Sequence, residues 1–181
     1  MDRKLSRAVI LVQQIALNSE RPVRIVAIDG LGGAGKSTFA ALLAPTLAAQ
    51  VIHTDDFASA DKPLEWWPRL RDEVLIPLRR GETARFQRYD WRHRILREWK
   101  EVRPTGTIIL EGVSSSRKEF RSYLDVSIWI ETRREVRLKR GLDRDGEDAL
   151  SQWREWMAQE DAWVATERPR QGADLVLAGE E

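Results

Sequence analysis

Val23-Arg24-Ile25-Val26-Ala27-Ile28 leads through Asp29 into Gly30-Leu31-Gly32-Gly33-Ala34-Gly35-Lys36-Ser37, and this junction decides the fold. The first six residues form a mostly apolar run that predicts a buried strand. The eight after Asp29 complete the pattern G-x-x-x-x-G-K-[ST], and Phe39-Ala40-Ala41-Leu42-Leu43 behind them predicts a helix. Strand, glycine loop and helix in that order make a phosphate cradle. Gly30, Gly32, Gly33 and Gly35, with Ala34 among them, let successive backbone N–H groups turn inward. The helix aims its N-terminal dipole at the same point. Lys36 supplies a positive charge for the β- and γ-phosphates, Ser37 a hydroxyl for Mg²⁺, and Thr38 closes the set that would hold ATP or GTP.

Working outward, Val51-Ile52-His53, Thr107 to Gly112, Val126 to Ile130 and Leu175 to Leu177 predict four further strands. Helices are expected over residues 3–18, from Pro68 to about Arg80 with Pro77 interrupting it, from about Arg133, and from about Glu147 to Thr166. Asn18-Ser19-Glu20-Arg21-Pro22 ends the first. Short apolar strands alternating with helices imply a parallel sheet covered on both faces. The expected fold is α/β: a three-layer P-loop NTPase fold with a five-stranded parallel sheet flanked by helices, in one domain over residues 1–181.

Composition narrows the function. With 30 Lys and Arg against 29 Asp and Glu, the net charge is +1, which shows no electrostatic footprint for nucleic acid. There is no cysteine, which rules out disulfides and thiolate metal sites, and two histidines argue against a histidine-built zinc site. The apolar run from Ala8 to Val12 is too short for a signal-peptide core or a membrane span. A soluble, cytoplasmic protein with no membrane partner is expected.

In parallel sheets ligands bind beyond the carboxyl ends of the strands, where this chain places acidic residues. Glu111, after the third strand, suits a Mg²⁺ carboxylate beside Ser37; capping the next helix is its other reading. Asp55 and Asp56 follow the second strand. A hydroxyl is a poor nucleophile until its proton is accepted, so a hydroxyl-phosphorylating enzyme profits from a carboxylate there. Either Asp can serve. Arg133, Arg137, Arg140 and Arg144 share one helical face and would form a lid over residues 133–147, stabilising a transferring phosphoryl group. Trp153, Trp156 and Trp163 read as core packing against the sheet. Trp91, in the arginine-rich stretch around Tyr89-Asp90-Trp91, suits either a stacking wall or core packing.

These residues, in order, resemble the uridine kinase-like branch of P-loop kinases, which includes phosphoribulokinase and pantothenate kinase relatives. The resemblance runs from Ile28-Asp29-Gly30 through Ser37-Thr38, Asp55-Asp56-Phe57, Tyr89-Asp90-Trp91, Glu111-Gly112-Val113 and Arg137-Leu138-Lys139-Arg140 with Arg144-Asp145. It ends at Ala173-Asp174-Leu175-Val176-Leu177. It implies ATP as donor, Mg²⁺ as cofactor with Ser37 and Glu111 as its ligands, and a small-molecule hydroxyl acceptor such as a nucleoside. It also implies Asp55 as base, with Lys36, Arg137, Arg140 and Arg144 at the transferring phosphate. Asp56, Phe57, Tyr89, Asp90, Trp91 and His93 become acceptor contacts. Ala58 stands where nucleoside kinases of the family carry an aromatic, and the short chain leaves little room for a long acceptor-binding hairpin. The alternatives are a nucleoside monophosphate kinase using Arg85 and Arg88, or an ATP-binding regulator without turnover. Asn18 is the only asparagine, which excludes the guanine-reading motif of ordinary GTPases.

Overall fold

A computed structural model of the chain describes residues 3–17, 20–59 and 65–179. The helix terminator expected at Asn18-Ser19 and part of the loop after Phe57 lie outside them. The elements run α1 (Arg3–Leu17), β1 (Val23–Asp29), α2 (Lys36–Leu47), β2 (Gln50–His53), α3 (Trp67–Leu70), α4 (Ile76–Arg79), β3 (Ala84–Asp90), β4 (Ile95–Val102), β5 (Gly106–Glu111), β6 (Val126–Glu131), α5 (Arg134–Asp145), α6 (Leu150–Glu167) and β7 (Leu175–Ala178). Five strands form the parallel sheet, in the order β2-β5-β1-β6-β7. β1, buried along nearly its whole length, lies at its centre.

Alternation along the strands builds two cores. Val26, Ile28, Ile109 and Ile128 face one way and bury Val9 and Val12 of α1 with Phe39 and Leu43 of α2. Ile25, Ile108 and Leu110 face the other way and bury Leu70, Val74, Leu78 and Phe120. The helix expected from Pro68 forms, with a π-helical segment, Arg71–Leu75, joining α3 to α4 just before Pro77. Proline has no N–H to donate, and a wider turn absorbs that loss without ending the helix.

Two expectations need correction. The chain does have room for a hairpin: β3 and β4 pair antiparallel as a separate two-stranded sheet. Ala84, Phe86 and Val102 anchor it in the second core. The tryptophans of α6 do not simply face the sheet. The Trp153 ring fills the space over Gly141 of α5, where a Cβ would meet it at 2.4 Å, and Trp153 stacks edge-on with Trp156. The α6 helix therefore packs against α5 and the phosphate loop.

One buried carboxylate ties the strand ends together. Asp29, at the end of β1, accepts hydrogen bonds from the amides of Gly30 (2.7 Å), Ser114 (2.9 Å) and Ser116 (2.8 Å) and from the Ser116 hydroxyl (2.6 Å). Complete burial pushes its pKa up, against the bonds from Ser116 and Gly30 and the nearby Lys36 charge. Gly112, just after β5, has φ +144°, and a Cβ there would stand 1.8 Å from the Thr54 hydroxyl oxygen. Only glycine lets β5 turn away at that point.

Candidate active site

The ends of β1, β2 and β5 open into one cleft of about 910 Å³. Gly32, Gly33, Gly35, Lys36, Ser37 and Thr38 form its floor, with Gly30 and Ala34 buried beneath. Gly33 and Gly35 have φ of +76° and +96°, the left-handed turns that curl the loop around a phosphate-sized hollow. Lys36 Nζ donates to the Leu31 carbonyl at 3.0 Å, which holds the ammonium over the loop.

Neighbouring strands assemble the metal-binding candidates. His53 and Glu111 are register partners across β2 and β5. The His53 Nδ1 lies 2.7 Å from one Glu111 oxygen, and the Ser37 hydroxyl donates to the other at 3.0 Å. Burial pushes Glu111 upward, but the bond from His53 and the nearby Lys36 charge outweigh it and hold the carboxyl below its usual range. The bond to Glu111 raises His53 in turn. A hydroxyl and an ionised carboxylate side by side make an all-oxygen donor set of the kind Mg²⁺ takes from a protein, and the residues present fit that ion.

Asp55 and Asp56 diverge in the short 3-10 turn Thr54–Asp56. Asp56 is buried and ion-paired with Arg88 at 2.7 Å, and Arg88 also reaches Glu98 at 3.2 Å. Asp55 lines the cleft. Desolvation by the surrounding walls raises its pKa, with Glu111 adding to the rise and Lys36, His53 and Arg144 opposing it. Arg85 pairs with Glu101 at 3.1 Å. Both arginines suggested for an acceptor phosphate are thus already paired with carboxylates.

The arginine-bearing helix is α5, with Arg133 at its N-cap. Arg140 and Arg144 line the cleft, and Arg140 donates to the carbonyls of Gly33 (3.3 Å) and Gly179 (3.1 Å). Asp145 holds Arg144 in place at 2.7 Å. Arg137 departs from the expected open face. It is 4% exposed, donates to the Thr132 carbonyl at 3.2 Å and faces Glu160 of α6 at 3.4 Å. Its backbone passes so close to the loop that a Cβ on Gly33 would meet the Arg137 carbonyl oxygen at 2.5 Å. The first turns of α5 are therefore packed onto the phosphate loop, and Arg137 supports that loop from behind.

Glu160 carried no signal in the sequence. Its carboxylate accepts the Gly32 amide at 2.9 Å, and burial raises its pKa. Glu160 shares the buried side of α6 with Trp153, Met157 and Trp163, and nothing local in the sequence announces its partner in the phosphate loop.

The acceptor side is mixed. Trp91 lines the cleft, donates from its indole nitrogen to the Asp55 carbonyl at 3.0 Å and meets Tyr89 edge-on. Phe57 is a core residue, stacked on Phe86 with centroids 4.6 Å apart. Asp90 and His93 are drawn into the hairpin turn. Asp90 accepts the amides of Arg92 and His93, each at 3.0 Å, and pairs with the His93 ring at 2.8 Å. Neither lines the cleft. Gln152, Trp156 and Gln159 of α6, with Arg94 of the hairpin, do so instead.

The family model for the AAA domain matches residues 26–162. No curated protein sequence matches the chain. Among solved structures, a possible uridine kinase from Bacillus stearothermophilus is similar at 22% identity and TM-score 0.68, with 95% of this chain and 97% of that one covered. A candidate fructose transport system kinase from Silicibacter sp. TM1040 is similar at 23% identity and TM-score 0.75, covering 97% of this chain and all of that one. A shikimate kinase from Bacteroides thetaiotaomicron reaches TM-score 0.51 at 14% identity, with 86% of each chain covered. These likenesses establish a P-loop kinase-like fold. Among the described residues no helix is long and apolar enough to cross a membrane.

Proposed function

The chain belongs to the AAA domain family of P-loop proteins, and we propose that it is an ATP-dependent kinase that phosphorylates a hydroxyl of a small molecule, a nucleoside or similar sugar-bearing compound. The divergence of Asp55 from Asp56 carries this reading. Asp56 is committed to Arg88, while Asp55 faces the cleft beside the phosphate loop with a raised affinity for protons.

In the reaction, Asp55 accepts the proton of the acceptor hydroxyl as that oxygen bonds to the γ-phosphorus. The bond from phosphorus to the bridging oxygen breaks, and ADP leaves with the electron pair. Lys36, Arg140 and Arg144 balance the charge on the transferring group. Ser37 and Glu111 would hold Mg²⁺, which would supply positive charge to the phosphate chain. The Trp91 and Trp156 rings and the Gln152 and Gln159 amides offer stacking surface and hydrogen bonds to a ring-bearing, uncharged acceptor.

The deciding experiment follows ADP release from Mg-ATP with nucleosides, sugars, pantothenate and nucleoside monophosphates, each against a blank. Stimulation by a nucleoside, lost in Asp55→Asn, is expected. Stimulation by monophosphates alone would overturn the assignment.

A further inference from the structure

The outer strand of the hairpin has an unpaired edge and a sequence that complements itself. β3 is held by the core, whereas β4 hydrogen-bonds only to β3 among the described residues. β4 carries three of the exposed large apolar side chains: Trp99 at 60%, Ile95 at 51% and Leu96 at 46%. An open strand edge of this kind invites pairing with another strand, and proteins ordinarily guard it with charges that repel a copy of the same edge. The charges of β4 do the opposite.

The strand reads Ile95-Leu96-Arg97-Glu98-Trp99-Lys100-Glu101-Val102. In an antiparallel pair of identical strands with the two-fold axis at Trp99, Glu98 stands opposite Lys100 and Arg97 opposite Glu101. Leu96 then stands opposite Val102, and Trp99 opposite its own copy. The two-fold axis of a regular antiparallel pair runs through the centre of a residue pair, so the neighbouring registers centre on Glu98 or Lys100 and set each against its own like charge. These registers also set an apolar side chain against a charge, Leu96 on Lys100 or Val102 on Glu98. Directly opposed like charges destabilise a strand pair and opposite charges support it. One register satisfies every charged position.

We propose that β4 is a homodimer seam, in which two copies of this chain join their β4 strands antiparallel about Trp99 into one continuous four-stranded sheet. The seam is independent of the catalytic proposal. It uses no residue of the phosphate loop or of the cleft wall, although Trp91 and Arg94, at the hairpin turn beside the seam, line the cleft.

Sedimentation velocity of the whole protein over a concentration series tests the seam. The expected result is a reversible dimer of twice 20.9 kDa. Glu98→Lys alone and Lys100→Glu alone each weaken association at least tenfold, while circular dichroism shows each chain folded. An equimolar mixture of the two single variants then recovers dimer, because each reversed charge again faces its opposite across the axis. A protein monomeric at every concentration overturns the seam. So do single variants that associate like the parent, or a mixture that fails to recover.

Discussion

The Glu160 carboxylate of α6 accepts the Gly32 amide at 2.9 Å and so joins the last helix to the phosphate loop. The same side chain faces the buried Arg137 at 3.4 Å, so one acidic group satisfies a loop donor and a guanidinium together. Removing one partner of a buried pair leaves the other charge uncompensated, at a cost of about 3–5 kcal/mol. Glu160→Ala should therefore lower stability by about that much and weaken ATP binding. Glu160→Gln keeps an acceptor for Gly32 and should lose less of both. Urea unfolding and nucleotide titration read the two effects. Equal losses in the two variants would count against the carbonyl-type contact as the element that holds the loop.

Asp55 carries a sign that separates catalysis from stability. Its pKa is raised in the folded protein, so the folded state holds its proton more tightly than the unfolded state does. Above the folded pKa the ionised carboxylate costs stability, and the cost disappears as pH falls through the folded pKa toward the unfolded value. Asp55 is exposed to the solvent of the cleft, which screens this cost, so Asp55→Asn should raise the melting temperature only slightly at neutral pH while lowering kcat by about 10²–10⁴. The acid limb of the parent's kcat/KM should lie above the ordinary aspartate range. A variant that is both inactive and less stable would argue for a structural role.

His53 should tune Glu111. The histidine holds that carboxyl down, so His53→Ala should raise the Glu111 pKa and shift the Mg²⁺ requirement upward at mildly acidic pH. The histidine's own folded pKa is raised, so its contribution to stability is complete below about pH 6.5 and fades as pH rises through the folded value. His53 is about half exposed, and that contribution is about 0–1 kcal/mol. Mg²⁺ titrations of activity at about pH 6 and about pH 8 read the first effect. Equal shifts at both would remove the proposed coupling.

Gly112→Ala should destabilise the protein by about 1–3 kcal/mol, because φ of +144° is strained for any L side chain and the added methyl collides with Thr54. Urea denaturation gives the number. Gly81→Ala is the control. It is strained by a φ of +74° but has open space around its Cβ, so it should lose less. If the two lose equally, crowding at Thr54 is not the reason for glycine at Gly112.

The central sheet was legible because its physics is local. Each of the five strands is a short apolar run, and the glycine loop announces itself by spacing. The hairpin was not. Only Ala84, Phe86 and Val102 of it enter the core, and most of its remaining side chains are charged or exposed, which hides the alternation a strand normally shows. The arginine face of α5 was readable as a face, but not in its depth. Burial by α6 took Arg137 out of reach of solvent, and that burial depends on Glu160, which lies far along the chain. Asp55 and Asp56 were indistinguishable as letters, because Arg88 chooses between them from a strand that local pattern did not reveal.

β7 has a consequence for the order in which the protein is made. The residue after it, Gly179, donates its amide to Glu131, receives Arg140 on its carbonyl, and fits so tightly that a Cβ would stand 2.2 Å from the Ala34 carbonyl oxygen. The phosphate loop is synthesised early, yet the backbone that braces its underside comes after every other element of the sheet. On a ribosome the loop cannot acquire its final support until β7 has left the exit tunnel. A nascent chain arrested before Leu175 should bind nucleotide poorly even with the whole glycine motif exposed, so nucleotide can act as a ligand of the finished domain rather than as a template for its folding.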